Sequence, residues 1–294
     1  MINHDNIDLT AAVTEQTGFA HLDDLPCVKL QFGQATAVIA LYGAQVLSYQ
    51  PRNNQEILWL SPLATWHNQT PIRGGVPICW PWFGAIAPQL NPEQLTLPNH
   101  GLVRTQLWQL KSTHCSAKGV SVTLETTVAS QPWCSKKPNT ATKITLQLQL
   151  TLAKQLQINL RCNDAIVQQA ALHSYFKVDD ISQAQVQPLP LTYIDTTRAL
   201  VLTSKANTAT FGAEVDRIYQ HSEPMLNIHN GNLSLGVEQT GHDATVVWNP
   251  WRERSAKMVD LTAQSYKEFI CVETAKLALD TAGPLNLTQQ ISLL

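Results

Sequence analysis

Four short stretches of the chain concentrate residues able to move a proton or hold an anion. Residues 71–84 read PIRGGVPICWPWFG. Arg73 stands just before Gly74-Gly75, and its planar fork matches a phosphate. The paired glycines permit positive φ or close backbone approach. Trp80 and Trp82 are rigid apolar platforms of the kind sugar rings stack on. The competing reading is a structural corner, its tryptophans in the core and its arginine solvated. Residues 98–104, PNHGLVR, set Asn99, His100 and Arg104 around a turn leading into a strand over 104–110. The Pro-rich connection between the two segments would bring Arg73 and Arg104 to one rim. Against that, a histidine before a glycine is more often a turn residue than a catalyst.

The other two stretches carry candidate acids and bases. In residues 171–178, ALHSYFKV, a strand conformation places His173, Tyr175 and Lys177 on one face. Histidine is the side chain best suited to exchange a proton near neutral pH. An ordinary strand histidine bonded to a neighbour is the competing reading. In residues 268–274, EFICVET, Glu273 shares its parity with Phe269 and Cys271. Such a carboxylate either ends the strand at the surface or sits in a pocket, where burial raises its pKa towards the range of a general base. Metal and nucleophile chemistries find no support: there is no HxH, HExxH, CxxC, GxSxG or GxxxxGK[ST] spacing.

The elements that must position these residues are strands. Ile144, Leu146, Leu148, Leu150 and Leu152 alternate with polar residues, and Leu156, Ile158, Leu160 and Cys162 resume the pattern after a short break. That is a hairpin with one wet and one buried face. Val120, Val122 and Leu124 mark another strand, and residues 36–50 two strands turning at Tyr42-Gly43. Further strands are expected over 233–237, 244–248, 268–274 and 285–294. Residues 85–98 and 129–140 read as long loops. Many short strands with no intervening helical period indicate an all-β sandwich or barrel, expected as one domain over 1–294.

Composition narrows the partners. Twenty basic and 22 acidic residues give a net charge of −2, with only 14% charged residues. Neither nucleic acid nor an anionic membrane has an electrostatic reason to bind. The first twenty residues lack the basic and apolar regions of a signal peptide. Six dispersed cysteines read as reduced thiols, so the cytoplasm is the expected compartment.

Taken together, PIRGGVPICWPWFG, PNHGLVR, ALHSYF, EVDRIY and CVETA, in that order from Pro71 to Ala275, resemble the glucose-6-phosphate 1-epimerase branch of the aldose 1-epimerase superfamily. The resemblance implies a large antiparallel β-supersandwich of the galactose mutarotase-like type. It implies His173 as general acid, Glu273 as general base and Asp216 as a ligand of a substrate hydroxyl. Arg73 and Arg104 match substrate-binding arginines, where selectivity for phosphate is expected. Asn99 stands where relatives often carry glutamine, and His100 is expected near the sugar in an unassigned role. The chemistry implied is anomer interconversion of an aldohexose 6-phosphate by ring opening and closure, with Glu273 ionised while His173 is protonated. It needs no cofactor, metal or covalent intermediate. The expected partner is a small-molecule sugar phosphate, and the expected state a monomer. Two alternatives stay open: a mutarotase of free hexoses, and a non-catalytic carbohydrate-binding or regulatory sandwich.

Overall fold

The computed structural model describes residues 10–130, 133 and 143–294. Alternation becomes strand wherever it is clearest. Lys143–Leu152 (β8) and Leu156–Ile166 (β9) form the expected hairpin, and every second residue of β8 is buried. They belong to a nine-stranded antiparallel sheet. Its order is β15 (Ala209–Thr210), β12 (Gln185–Gln187), β17 (Met225–His229), β18 (Ser234–Thr240), β21 (Gly283–Leu293), β9, β8, β7 (Gly119–Ala129) and β6 (Gln109–Ser116). An N-terminal sheet of β1 (Ala11–Phe19), β2 (Leu22–Phe32), β3 (Ala35–Ala40) and β4 (Val46–Gln50) packs over β7 and β8. The expected turn at Tyr42-Gly43 lies between β3 and β4.

The third sheet carries the candidate residues. Its order is β14 (Leu200–Thr203), β13 (Thr192–Asp195), β16 (Val215–Gln220), β19 (Ala244–Asn249), β20 (Phe269–Lys276), β10 (Ala170–Leu172) and β5 (Ile78–Cys79), with β11 (Tyr175–Lys177) also on β20. Isolated bridges Val46–Val76, Leu60–Gly74 and Leu58–Phe176 tie residues 58–76 to β4 on one side and to β11 on the other. Ile78, Leu172, Phe176, Val247, Ile270 and Val272 face the nine-stranded sheet and share one core with Val28, Leu30, Leu148 and Ile291. Their neighbours Cys79, Ala171, Tyr175, Val246, Trp248 and Cys271 face the other way, into smaller clusters under a canopy of loops. Both faces are therefore covered, and β19 and β20 are buried almost throughout. This is why their sequences read as continuous apolar runs rather than alternations. The only α-helix among the described residues is α1 (Trp251–Ser255).

One expectation is corrected and one open alternative is decided. Residues 104–108 are turn and bridge, and the strand begins at Gln109. Trp80 and Trp82 are fully buried and pack edge-on to Trp133, their indoles donating to Gln168 Oε1 and the Pro98 carbonyl. They belong to the core and offer no sugar platform. Residues 85–98 form the expected loop, whereas most of 129–140 and Cys134 lie outside the described residues.

Candidate active site

His173 and Glu273 are cross-strand neighbours. Leu172 pairs with Thr274 and Tyr175 with Cys271 in one antiparallel register, which sets His173 opposite Glu273. Opposed residues on one face stand close enough for direct contact, and here His173 Nε2 lies 3.3 Å from Glu273 Oε1. The two side chains are only 9% and 1% exposed. Glu273 thus lies inside its strand, not at a surface end. His173 Nδ1 and Glu273 Oε2 have no hydrogen-bond partner, so each residue keeps one polar atom unpaired. The Tyr175 ring stacks on the imidazole at 5.0 Å and 9°, and Trp248 meets it edge-on at 6.0 Å. Lys177 is exposed and lines a separate pocket with Glu56 and Glu268.

Arg73 is held rather than solvated. Its Nε donates to Asp260 Oδ2 at 2.9 Å and one Nη to the Tyr175 hydroxyl at 2.8 Å. Gly75 makes the approach possible: its φ is +61°, and a Cβ there would stand 2.1 Å from the Val46 carbonyl oxygen. Arg104 lies beside the buried Cys79 thiol. Among the described residues no carboxylate is within ion-pair distance of it. Both guanidinium charges act on His100 and on His173.

His100 adopts φ +64° and turns its ring to within 5.6 Å of the His173 ring. Its Nδ1 accepts the Gly84 N–H at 3.3 Å and lies 3.4 Å from Cys79 Sγ. An accepting Nδ1 places the proton of the neutral ring on Nε2. Asn99, by contrast, is exposed at the start of the turn, with no hydrogen bond or ion pair to the cluster. Asp216 sits opposite Trp248, itself opposite Cys271, on the same face as Glu273. Its Oδ2 lies 3.4 Å from an Arg254 Nη that also meets Glu214 at 2.8 Å.

Burial dominates the electrostatics. It pushes His100 down to about 3, helped by Arg104 and Arg73. Burial likewise holds His173 well below its ordinary value, reinforced by His100, Arg104 and Arg73. Glu273 is held well above its ordinary value by burial and by Asp216, against the pull of Arg104. The environment of the free site therefore favours an uncharged pair, not the ion pair the acid–base roles imply. The two states hold the same number of protons and differ by one proton moved across the 3.3 Å contact.

The model of the aldose 1-epimerase family matches residues 26–283, a span that holds all of these residues. The chain belongs to the aldose 1-epimerase family. It is an isomerase acting on sugars. An Escherichia coli protein named "Putative glucose-6-phosphate 1-epimerase" is 36% identical over 86% of this chain and 84% of its own length. The crystal structure of the Salmonella typhimurium protein YeaD superposes with a TM-score of 0.83 at 33% identity, covering 96% of each chain. Galactose 1-epimerase from Lactobacillus acidophilus shares the fold, with a TM-score of 0.69 at 13% identity over 97% and 99% of the chains. The β-sandwich of this epimerase is thus the galactose mutarotase-like fold.

Of the residues singled out in the sequence, His173, Glu273, Arg73, Arg104, His100 and Asp216 converge on one face, and Asn99 does not. Asp260, Trp248 and Arg254 lacked a sequence signal. Asp260 reaches Arg73 from 187 residues away, and nothing local marks it.

Proposed function

We propose that this protein interconverts the α and β anomers of an aldohexose 6-phosphate, glucose 6-phosphate foremost. The observation that carries the reading is the 3.3 Å contact of His173 with Glu273, each with one unpaired polar atom, beside two guanidinium groups. Ring opening removes the proton of the C1 hydroxyl and adds one to the ring oxygen. Glu273 as carboxylate takes the first, and His173 as imidazolium supplies the second. The C1–O5 bond breaks, C1 becomes a free aldehyde, rotation about C1–C2 exchanges its faces, and the same groups act in reverse. The proton that Glu273 holds in the free site moves to His173 to give the reactive state, without exchange with solvent. Asp216 suits a sugar hydroxyl, and Trp248 and Tyr175 supply the apolar walls.

Arg104, without a carboxylate partner, is the cation best placed to take the phosphate. Relatives named for glucose 6-phosphate support the same substrate. The site is complete within one chain, so a monomer suffices. Free thiols at Cys27, Cys79, Cys115 and Cys271 and a phosphorylated substrate suit the cytoplasm. Among the described residues, no helix is long and apolar enough to cross a membrane.

NMR exchange between the anomers of glucose 6-phosphate tests the reading. The protein should accelerate it, and His173→Ala or Glu273→Gln should each cut the rate on the order of 10²–10⁴-fold. Acceleration of free hexoses alone would return the protein to the free-sugar alternative. No acceleration of any sugar would leave only binding.

A further inference from the structure

Ser174 and Thr274 directly follow His173 and Glu273 in the chain, and their side chains turn to the opposite face, between the two large sheets. That space is otherwise packed with Leu172, Val272, Val237, Leu287 and Ile291. There the Ser174 hydroxyl donates to Gln289 Oε1. Gln289 Nε2 donates to Thr274 Oγ1 at 2.8 Å and to the Val272 carbonyl at 3.3 Å. The Thr274 hydroxyl donates to Gln239 Oε1 at 2.9 Å, and Gln239 Nε2 donates to Thr245 Oγ1 at 2.9 Å. All five residues are completely buried.

Apolar residues of similar size would fill this layer without the desolvation cost of two primary amides. The amides are tolerated because every one of these side chains is bonded. The unpaired atoms of the region, His173 Nδ1 and Glu273 Oε2, lie on the opposite face of the same strands. The bonds also fall where the backbone is irregular. His173 and Ser174 lie outside both β10 and β11. Ser174 N–H donates back to the Leu172 carbonyl at 3.0 Å, and His173 N–H to the Pro77 carbonyl at 3.0 Å. A kink of this kind needs a tether to keep it from relaxing towards regular strand, which would re-aim the imidazole.

We propose that Gln289, a residue of the opposite sheet, is the positioning residue of the acid–base pair. Its single amide grips Ser174 and Thr274 at once, fixes the kink at His173 against the strand of Glu273, and so sets the His173–Glu273 separation. The role rests on the anomerase reading above.

Gln289→Met keeps the length of the side chain and removes all three of its bonds. It should lower kcat for glucose 6-phosphate between about tenfold and a hundredfold, with KM changed by less than about twofold. Thr274→Val should lower kcat in the same way, while Thr274→Ser, which restores the hydroxyl, retains most of it. Leu287→Ala, on the same strand as Gln289 but outside the network, controls for stability: it should lower the Tm without lowering kcat. The ring-nitrogen NMR signals of His173 supply a readout that needs no substrate. Their shifts and pH titration should differ between Gln289→Met and the parent protein, and not between Leu287→Ala and the parent. Wild-type kcat and an unmoved His173 titration in Gln289→Met would overturn the proposal, as would an equal kcat loss in Leu287→Ala. Were the parent protein inactive on every sugar, the function would be wrong, and the His173 titration would still decide whether Gln289 sets that side chain.

Discussion

Glu273 is a carboxyl with one oxygen 3.3 Å from an imidazole and the other unpaired, in a site from which water is almost excluded. In its proposed role such a group would serve the reaction at the expense of the fold, and the sign can be worked out. Its folded pKa lies well above the ordinary 4.5, so above that pH the folded chain binds more protons than the unfolded chain. Stability is therefore lost as pH rises from 4.5 towards the raised value. Glu273→Gln removes the ionisation, so its Tm should gain on that of the parent from pH 5 to pH 8, even as its rate falls. A constant difference across that range would contradict the burial argument. His100 has the opposite sign. Its folded pKa of about 3 lies below the ordinary 6.5. The stability it supports is present above 6.5 and is lost as pH falls towards 3. Protonation would convert Nδ1 from acceptor to donor against the Gly84 N–H and add a charge beside Arg104. His100→Gln should therefore lose less Tm than the parent between pH 7 and pH 5, measured by thermal unfolding in matched buffers.

At the scale of elements, the turn that presents His100 depends on the residue after it. Gly101 has φ +84°, and a Cβ there would stand 1.9 Å from the Trp80 carbonyl oxygen. The Trp80 backbone and the turn must therefore part to admit even a methyl group. Gly101→Ala should destabilise by on the order of 3 kcal/mol or more and displace His100. Calorimetry and the anomer-exchange rate should fall together, and an unchanged Tm would remove the argument. The legibility of the sequence follows the same physics. The β8–β9 hairpin was plain because one of its faces is wet, and wet faces alternate. Strands β19 and β20, covered on both sides, showed only apolar runs, so the burial of Glu273 could not be read from its neighbours. His173 and Glu273 were assigned through a resemblance, and the register that opposes them needed coordinates. Trp80 and Trp82 stayed undecided because an aromatic residue beside a glycine turn reads equally as platform or core. Asp260 and Gln289 were invisible because the contacts of Asp260 with Arg73 and of Gln289 with Ser174 each span more than a hundred residues of chain.

For the whole molecule, the proposed substrate raises the question of how a chain of net charge −2 would select a dianionic sugar phosphate. The overall field offers no attraction, so selection rests on local cations, and the two candidates differ in what else they do. Arg73 is tied to Asp260 and to the hydroxyl of Tyr175, whose ring stacks on His173. Its removal should disturb the imidazole whatever the sugar carries. Arg104 has no carboxylate partner among the described residues and is free to meet an anion. A charged hydrogen bond contributes about 1.5–3 kcal/mol, roughly one to two powers of ten in binding. Arg104→Met should therefore raise KM for glucose 6-phosphate about ten- to a hundredfold while leaving kcat/KM for free glucose nearly as it was. Arg73→Met should lower kcat/KM for both sugars. Steady-state anomerisation of the two substrates by the parent and both variants checks the pair of expectations. If Arg104→Met penalised glucose and glucose 6-phosphate equally, the phosphate would have to be held elsewhere. Ionic strength gives an independent check, because a rate steered by the field of the whole molecule falls steeply with salt. Here the parent's kcat/KM for the phosphate should fall only shallowly, since the cations that matter are partly buried and poorly screened.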